Sequence, residues 1–445
     1  MSKIYISSGH GGIEQIKFYN VENGETKERF FHGVKGKNII SMFLVSNPPD
    51  EYLVSVESWY DDSSNVFQGI KFKTDKNTSD FFGYKFSEDD GTPFSLQIKD
   101  KKIMGVHKFT DSNLNSPGTY FVLIHSTPML HGKWIQVEQK DKGPGPRCSH
   151  AIAMVGNKMY SFGGELTPNF PIDRDLYVFD FKTHRWSIAP PNGDVPELPC
   201  LGVGMVAVGT TLYVFGGRDG QRNYNGFYSY DTVKSEWKLI THVNKGPAPR
   251  SFHSMAADDK NVYVFGGVST TVRVNTLHAY NIADQKWIEL PNPGESCKGR
   301  GGSGLAVVHG KIWVVYGFIG DEVDDVLCFD PVESKWTKVE TSGEKPSARS
   351  VFATAVVGKY IIISGGEIEM DPQAHLGPGK LDGGAFVLDT ESLLWEKLEE
   401  GHSPRGWCAS TTASIDGKKG LLMYGGKAPT NGRYDDIYFY GVDSA

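Results

Sequence analysis

The sequence predicts an all-β protein, because two features repeat together along its second part. A glycine pair ends an apolar run five times and a Tyr-Gly pair takes the remaining position, at Gly163-Gly164, Gly216-Gly217, Gly266-Gly267, Tyr316-Gly317, Gly365-Gly366 and Gly425-Gly426. A tryptophan recurs with the same period of about 50 residues, at Trp134, Trp186, Trp237, Trp287, Trp336 and Trp395. Short runs of β-forming residues between turns that contain Gly and Asn fill each repeat, which is typical of antiparallel hairpins.

Each repeat predicts a four-stranded antiparallel sheet. In the first repeat the expected strands are Ser149–Val155, Lys158–Phe162, Leu176–Asp180 and the run that begins at Arg185. A period of this length with these marks is typical of kelch repeats, so we predict a six-bladed kelch β-propeller over residues 134–443. The last repeat has no tryptophan strand of its own. We therefore expect residues 132–137 to supply its outer strand and to close the ring, which leaves no open edge.

Two sets of recurring side chains have structural interpretations. Aromatic side chains dominate core burial, so we expect the repeated tryptophans to pack between blades rather than to stack on a ligand. An arginine recurs at the turn before the first strand of most repeats, at Arg147, Arg250, Arg300, Arg349 and Arg405. We expect most of these guanidinium groups to donate to backbone carbonyls at the mouth of the propeller.

Composition limits the classes of function. The chain has 445 residues, of which 39% are apolar and 22% charged, and its net charge is −7. No apolar run reaches the length of about 18 residues that suggests a membrane span, and no apolar leader follows Met1. An acidic chain without a basic run is not expected to bind nucleic acid. The five cysteines are scattered and fit neither a disulfide framework nor a zinc site, so we expect a reducing, cytoplasmic location.

Residues 1–127 carry none of the repeat marks and are predicted to form a separate all-β domain. The expected strands are Lys3–Ile6, Ile13–Tyr19, Tyr52–Trp59, Val66–Lys71, Lys102–Lys108 and Thr119–Ile124. The expected turns contain Gly11-Gly12, Asn23-Gly24 and Asp90-Gly91, and such turns between β-rich runs favour hairpins. Residues 128–133 are expected to be a short linker.

The first domain resembles a jacalin-like lectin, a β-prism of three small sheets. The resemblance rests on segments 11–18, 103–108 and 114–121. The glycine-rich first strand of that family has no counterpart before Lys3, so we predict a domain that is incomplete at its N-terminus. Val122 stands where the family's sugar loop has an aspartate, and valine offers a sugar hydroxyl no acceptor. We therefore favour a docking or oligomerisation module, and formation of a homo-oligomer is left open.

The loop after the fifth glycine pair is the strongest candidate for a metal site. Glu367, Asp371 and His375 are each four residues apart, so a helical segment would place them close to one face. Pro372 is tolerated one turn into such a segment, and the run 377–379, Gly-Pro-Gly, would end it. Two carboxylates and one imidazole suit a divalent metal that also binds substrate. The alternative interpretation is a solvated polar loop.

Three further residues are candidates for substrate binding. Arg218 directly follows the second glycine pair, and a guanidinium at a propeller mouth suits an oxyanion such as sulfate or carboxylate. Phe252 and Trp407 each lie two residues after a turn arginine. They either wall an apolar pocket or cap their blades, and both interpretations stay open. The acidic run 321–325 is a second metal candidate, but it lacks a histidine and is more simply a solvated loop.

At these residues the chain resembles the glucosinolate specifier proteins of the mustard family of plants. The most specific marker is the E-x-x-x-D-x-x-x-H motif at Glu367, Asp371 and His375. A jacalin-like domain ahead of kelch repeats resembles the nitrile-specifier branch of that family. The resemblance implies that these three residues bind ferrous iron, Fe(II).

The resemblance also implies a substrate and a reaction. The substrate is the unstable thiohydroximate O-sulfate, or aglucone, that a myrosinase releases from a glucosinolate. The implied lyase-type activity directs this aglucone to a simple nitrile instead of an isothiocyanate, a step in plant defence that is functionally coupled to myrosinase. Arg218 would hold the sulfate and stabilise it as it departs, and Phe252 and Trp407 would line the pocket for the substrate side chain.

Two other functions are considered. A kelch adaptor that binds a protein partner predicts no metal dependence and tolerance of His375→Ala. A lectin acting through the first domain is disfavoured by the missing first strand and by Val122. The accepted glucosinolate side chains, the formation of epithionitriles and physical contact with a myrosinase stay open.

Overall fold

The structure is a computed structural model. It describes residues 3–9, 12–22, 25–33, 41–44, 53–61, 66–74, 76–83, 92–97, 103–109, 120–125, 130–241 and 246–443. The all-β prediction is confirmed, since two short 3₁₀ helices, Gly294–Ser296 and Ala374–Leu376, are the only helices in these ranges. None of the helices described is long and apolar enough to cross a membrane. The chain divides into two compact units, Met1–Pro128 and Met129–Ala445.

The first unit contains two antiparallel sheets among its described residues. Its strands are β1 (Lys3–Gly9), β2 (Gly12–Glu22), β3 (Glu25–Gly33), β4 (Ser41–Leu44), β5 (Leu53–Asp61), β6 (Val66–Thr74), β7 (Phe82–Gly83), β8 (Thr92–Gln97), β9 (Ile103–Phe109) and β10 (Tyr120–His125). The sheet orders are β3-β2-β1-β4 and β10-β9-β5-β6-β7. Strand β5 pairs with both β8 and β9, so β8 and β9 belong to the same sheet.

All six strands predicted in the first unit are present, and four others, β3, β4, β7 and β8, were missed. Charged residues interrupt the apolar alternation of β3, so periodicity alone does not reveal it. The predicted turns at Asn23-Gly24 and Asp90-Gly91, Gly11, segment 114–119 and residues 128–129 of the predicted linker lie outside the described residues.

The second unit begins with β11 (Gly132–Gln136), and the repeats follow in chain order. The first repeat holds β12 (Cys148–Val155), β13 (Lys158–Thr167), β14 (Phe170–Pro171), β15 (Leu176–Asp180) and β16 (Arg185–Ile188). The second holds β17 (Asn192–Gly193), β18 (Gly204–Val208), β19 (Thr211–Phe215), β20 (Phe227–Asp231) and β21 (Glu236–Thr241). The third holds β22 (Ser254–Ala257), β23 (Asn261–Phe265), β24 (Val268–Ser269), β25 (Val272–Arg273), β26 (Leu277–Asn281) and β27 (Lys286–Glu289).

The remaining three repeats have the same plan. The fourth holds β28 (Gly304–Val308), β29 (Lys311–Phe318), β30 (Glu322–Asp330) and β31 (Lys335–Val339). The fifth holds β32 (Ser342–Gly343), β33 (Ala353–Val357), β34 (Tyr360–Ser364), β35 (Glu367–Glu369), β36 (Lys380–Leu381), β37 (Ala385–Asp389) and β38 (Leu394–Leu398). The sixth holds β39 (Ala409–Ile415), β40 (Lys418–Lys427) and β41 (Arg433–Val442).

Each repeat forms an antiparallel sheet of four main strands, and the sixth sheet takes its outer strand from the start of the unit. Strand β11 pairs antiparallel with β41, with Trp134 opposite Tyr440, as the sequence predicts. The first strand of each sheet lies against the first strand of the next sheet, and β39 of the last sheet lies against β12 of the first.

The core lies between neighbouring sheets. Buried apolar clusters are each built from residues of two adjacent sheets. The ring of Trp186 lies 5.3 Å from Tyr424 of the sixth sheet, and that of Trp395 lies 5.8 Å from Tyr316 of the fourth. The prediction that these tryptophans pack between sheets is therefore confirmed.

The recurring arginines hold the glycine pairs in place. All five are buried, and each donates from Nη1 to the carbonyl of the first residue of its pair, namely Arg147 to Gly163, Arg250 to Gly266, Arg300 to Tyr316, Arg349 to Gly365 and Arg405 to Gly425. Their predicted structural role is confirmed. The glycines are required because a Cβ on Gly366, at a φ of +109°, would lie 2.8 Å from the carbonyl oxygen of Ser350.

Candidate functional site

The residue after each glycine pair occupies an equivalent position in all six sheets. These residues are Glu165, Arg218, Val268, Phe318, Glu367 and Lys427. Each pairs with the residue that follows the turn arginine or its equivalent, for example Glu367 with Ser350 and Lys427 with Gly406. This shared pairing brings side chains that are far apart in sequence to the same end of their sheets.

A cavity of about 530 Å³ opens at this end. Five of the six residues predicted for the site line it: Arg218, Phe252, Glu367, His375 and Trp407. Asp371 lies in the adjoining loop and is not part of the lining. The structure therefore gathers residues from four different sheets around one space, although their functional roles stay predictions.

Two aromatic side chains wall the cavity on either side of His375. The imidazole centroid lies 5.4 Å from the ring of Phe252 and 6.0 Å from the ring of Trp407. Both aromatic residues have left-handed backbones, with φ values of +54° and +53°. The same left-handed conformation recurs at the equivalent position of the other four repeats, at Ser149, Gly202, Gly302 and Val351, so it belongs to the turn of the repeat. Both aromatic residues line the cavity, while their role in substrate binding stays a prediction.

The guanidinium group of Arg218 is fixed from three directions. Nη2 donates to Oδ1 of Asn169 at 2.7 Å, and Nη1 donates to the backbone carbonyl of Asp219 at 2.9 Å. The guanidinium carbon lies 5.5 Å from the centroid of the Phe252 ring. Burial lowers the pKa of Arg218, but a guanidinium stays protonated in proteins. A fixed cation at the cavity wall suits a planar or tetrahedral oxyanion.

The loop that carries the acidic motif is a hairpin, so its predicted helical form was wrong. Glu367 belongs to β35, which pairs with β36, and only residues 374–376 form a 3₁₀ turn. Asp371 closes the bend, because its Oδ1 accepts from the backbone N–H of Gln373 at 2.8 Å and its Oδ2 from that of Gly379 at 3.3 Å. The antiparallel pairing holds Glu367 in an extended backbone, which a helix would not allow.

Glu367 is buried beside a second carboxyl group, that of Glu322. Burial and the neighbouring Glu322 both raise the pKa of Glu367, and burial raises the pKa of Glu322. Neither carboxyl oxygen of Glu322 has a well-formed hydrogen bond to any described residue. The solvated-loop interpretation of run 321–325 is therefore wrong for Glu322, which begins β30, and for Asp325, which forms an ion pair with the buried Arg300.

His375 contacts a third buried carboxyl group. Its Nε2 lies 2.6 Å from Oε1 of Glu165, a residue of the first sheet that has no exposed surface. In the tautomer that carries its proton on Nε2, this nitrogen donates to the carboxyl oxygen and Nδ1 keeps its lone pair. Lys427 supports the same loop, because its Nζ donates to the carbonyls of His375 and Gly377, both at 3.2 Å, and lies 4.0 Å from the Trp407 ring.

The donor atoms fit a divalent cation in kind, but they do not meet at one point. Among the described residues, no three His, Cys, Asp or Glu side chains are close enough together to hold a metal ion. Oε2 of Glu165 and both carboxyl oxygens of Glu322 have no well-formed hydrogen bond within the described ranges, so a cation could still bind to them. A Cβ on Gly379 would clash with Oε2 of Glu367, and one on Gly377 with the carboxyl group of Asp371. The two glycines thus leave room for both carboxyl groups.

Three residues at this site were missed from the sequence: Glu165, Asn169 and Lys427. A signal existed for two of them, since Glu165 and Lys427 occupy the same position after a glycine pair as Arg218 and Glu367. Asn169 carried no signal, because its contact depends on the shape of a loop.

Comparison with known proteins gives different matches for the two units. Residues 1–120 match the model of the jacalin-like lectin domain, and residues 149–366 match that of the KLHDC2/KLHL20/DRC7 Kelch-repeats domain. A protein of Thlaspi arvense named N-(sulfonatooxy)prop-2-enimidothioate sulfolyase is 56% identical over 343 residues, covering 71% of this chain and 99% of that protein. The chain belongs to the glucosinolate specifier family. This member combines a jacalin-like domain with kelch repeats.

The relatives of the first unit are shorter matches. Myrosinase-binding protein 1 of Arabidopsis thaliana is 55% identical over 127 residues, which cover 28% of this chain and 27% of that protein. Jacalin-related lectin 5 of the same plant is 56% identical over 125 residues, which cover 28% of this chain and 17% of that protein. The chain thus spans only about a quarter or less of these two relatives.

Proposed function

We propose that this protein directs the aglucone released from a glucosinolate by myrosinase to a simple nitrile instead of an isothiocyanate. Its kinship with a protein named as a sulfolyase supports a glucosinolate-related specifier role and a lyase-type activity. The observation that carries the finer proposal is the cavity itself. It places a fixed cation, Arg218, two aromatic walls and the loop of Glu367 and His375 around one space.

The scaffold of this site is a closed propeller of six kelch blades. Support comes from the six four-stranded sheets, from the pairing of β11 with β41 and from the contact of β39 with β12. Sheets arranged around an axis protect each other's edges. They also present the loops between second and third strands at one end, where rigid strands position them.

Arg218 binds the sulfate group of the aglucone. One N–H of Nη2 donates to Asn169 and one N–H of Nη1 donates to the carbonyl of Asp219. The remaining N–H groups of the guanidinium have no acceptor within the described part of the chain and can donate to an oxyanion. The nitrile forms when the N–O bond breaks, which releases sulfate, and the C–S bond breaks, which releases the sulfur atom. Negative charge grows on the leaving sulfate, and a fixed cation stabilises that charge without reorganising. Phe252 and Trp407 exclude water from the reacting group and pack against the substrate side chain.

Glu367, Asp371 and His375 hold ferrous iron. Bound Fe(II) would supply a Lewis acid for the thiolate sulfur of the aglucone. Glu367 and Asp371 provide anionic oxygens, and His375, held through Nε2 by Glu165, presents Nδ1 as the nitrogen donor. The three residues differ from the two-His-one-carboxylate set of other non-haem iron sites, because they include only one histidine. They share with that set only that coordination positions are left open for a substrate.

The setting of the reaction follows from its substrate. The aglucone is unstable, so the protein acts next to a myrosinase in the cytoplasm and is functionally coupled to it. A relative of the first unit is named a myrosinase-binding protein, which supports this link. Neither nucleic acid nor a membrane takes part.

Product analysis by gas chromatography tests the proposal. A glucosinolate is incubated with a myrosinase, with and without this protein, in the presence of Fe²⁺ or a chelator. We expect a shift from isothiocyanate to nitrile that requires Fe²⁺ and is lost in Glu367→Ala and His375→Ala. Glu369→Ala is the matched control, because this side chain belongs to the same loop but is exposed. Unchanged isothiocyanate in every mixture would favour the adaptor function.

A further inference from the structure

The hairpin of residues 165–171, which we call the clamp hairpin, reaches the candidate site from the first sheet. It joins the end of β13 to β14, with Glu165 opposite Pro171 and Thr167 opposite Phe170. Two of its side chains contact residues of the proposed site, Glu165 at His375 and Asn169 at Arg218. We propose that the clamp hairpin positions both functional halves of the cavity, with Glu165 orienting the metal-binding imidazole and Asn169 orienting the sulfate-binding guanidinium. This inference rests on the proposed function.

Glu165 is placed as a carboxylate that orients a ligand imidazole. Its Oε1 lies 2.6 Å from Nε2 of His375, and its Oε2 has no partner among the described residues. Metal-binding histidines commonly donate their second ring N–H to a carboxylate, which fixes the ring and raises its basicity. The bond spans 210 residues of sequence, so it joins the first sheet to the loop of the fifth.

Two buried basic side chains lie near Glu165. Arg433 lies 3.9 Å from Oε1 and has almost no exposed side chain. Lys427 is also fully buried, and the charge of Glu165 raises its pKa against the larger lowering effect of burial. Neighbouring cations partly offset the cost of burying a carboxyl group, so Glu165 suits this position beside His375.

Asn169 performs the equivalent task at the other side of the cavity. Its Oδ1 accepts from Nη2 of Arg218 at 2.7 Å, and its backbone has a φ of +70°. Asparagine tolerates this left-handed conformation better than most residues. The approach is close, because a Cβ on Gly220 would lie 3.1 Å from the carbonyl oxygen of Asn169. The side chain therefore reaches Arg218 from a tight turn.

The clamp hairpin is not built as a packing element. Leu166 and Phe170 are 52% and 68% exposed, so the hairpin buries little apolar surface of its own. Its inward contacts are polar and directed at two proposed functional residues. This arrangement is expected of a positioning element rather than of a part of the core.

Two binding titrations with crossed variants test the inference on the full chain. Co(II), a spectroscopic substitute for Fe(II), is followed by its visible absorption, and sulfate by its stabilisation of the protein against heat. Sulfate also stabilises proteins without binding at a specific site, and this part is measured on Arg218→Ala and subtracted from the stabilisation of each other variant. The variants are Glu165→Gln, Glu165→Ala and Asn169→Gly, since glycine keeps the left-handed backbone. Leu166→Ala is the matched control on the same hairpin.

We expect Glu165→Ala to weaken Co(II) binding by about 10- to 100-fold, and Glu165→Gln, which keeps an acceptor for the imidazole, to weaken it less. Asn169→Gly should weaken sulfate binding about tenfold and leave Co(II) binding unchanged. Equal losses of both ligands in every variant, or no loss in any, would overturn the inference in favour of a structural hairpin. If the wild-type protein binds no Co(II), the proposed metal site and the role of Glu165 both fail, while the sulfate titration still decides the role of Asn169.

Discussion

Replacing Gly379 with alanine tests the space that this glycine leaves for Glu367. Gly379 has a φ of +63°, and a Cβ there would clash with Oε2 of Glu367 and lie 2.8 Å from the carbonyl oxygen of Glu369. The carboxyl end of Glu367 can swing away, but the carbonyl of Glu369 belongs to the backbone of β35. The substitution therefore displaces Glu367 and strains the hairpin that carries the motif.

A matched control isolates the effect of that displacement. Gly417 has a φ of +78°, and apart from its chain neighbours no described atom lies within 4 Å of its Cβ position, so Gly417→Ala carries the backbone cost alone, roughly 1–2 kcal/mol. Gly379→Ala adds overpacking of about 1–3 kcal/mol, for a total of roughly 2–5 kcal/mol.

The assays are thermal unfolding and Co(II) titration of both variants. We expect the melting temperature to fall by about 2 °C per kcal/mol, so that Gly379→Ala loses about 2–6 °C more than Gly417→Ala. We also expect only Gly379→Ala to lose Co(II) affinity. Equal melting temperatures with intact Co(II) binding in both variants would refute the reasoning.

Three further predictions concern buried basic side chains of the second unit. Burial lowers the pKa of His253 to about 3, so the folded protein keeps this side chain neutral, whereas the unfolded chain takes up a proton as pH falls below about 6.5 and the folded state loses stability. We expect the melting temperature of His253→Gln to fall less between pH 7 and 5 than that of the wild type, and an equal fall would contradict this. Lys427→Met leaves two loop carbonyls without a donor, so the nitrile fraction should fall at least tenfold with a stability loss of about 1–3 kcal/mol, whereas full activity would show that the loop does not need this support. Arg300→Met leaves Asp325 unpaired and should lower the free energy of unfolding by about 3–5 kcal/mol, measured with denaturant. The exposed control Lys345→Met should lower it by less than about 1 kcal/mol, and equal losses would refute the structural role of the buried arginine.

The repeated architecture could be predicted because the same steric requirement recurs in each sheet. A glycine pair, a tryptophan and a turn arginine return with one period, and each has one physical role that can be worked out from a single repeat. The pairing of β11 with β41 followed from the missing strand of the last repeat.

The shape of the acidic loop could not be predicted from spacing. Positions 367, 371 and 375 suit a helix, but pairing of β35 with β36 imposes a hairpin. That pairing joins Glu367 to Leu381, beyond the range over which a helical period is informative. Side-chain identity suggested a metal-binding chemistry that stays a prediction, while tertiary pairing determined the geometry of the loop.

The residues that position the site depend on contacts between sheets. Glu165 reaches His375 and Asn169 reaches Arg218 only after separate repeats are placed side by side. A repeated sequence pattern does not reveal such contacts when the residues lie in loops whose length differs between repeats. Position within the repeat was the one usable signal, and it applies to Glu165 but not to Asn169.

Anomalous diffraction tests the central claim, that one cavity combines a metal-binding loop with an oxyanion-binding arginine. Crystals of the full chain are grown without oxygen in Fe²⁺ and selenate, a sulfate analogue, and data are collected at the iron and selenium edges. We predict an iron peak beside Glu367, Asp371 and His375 and a selenium peak beside Arg218, both in the same cavity. An iron peak elsewhere, or selenate bound away from Arg218, would contradict the account.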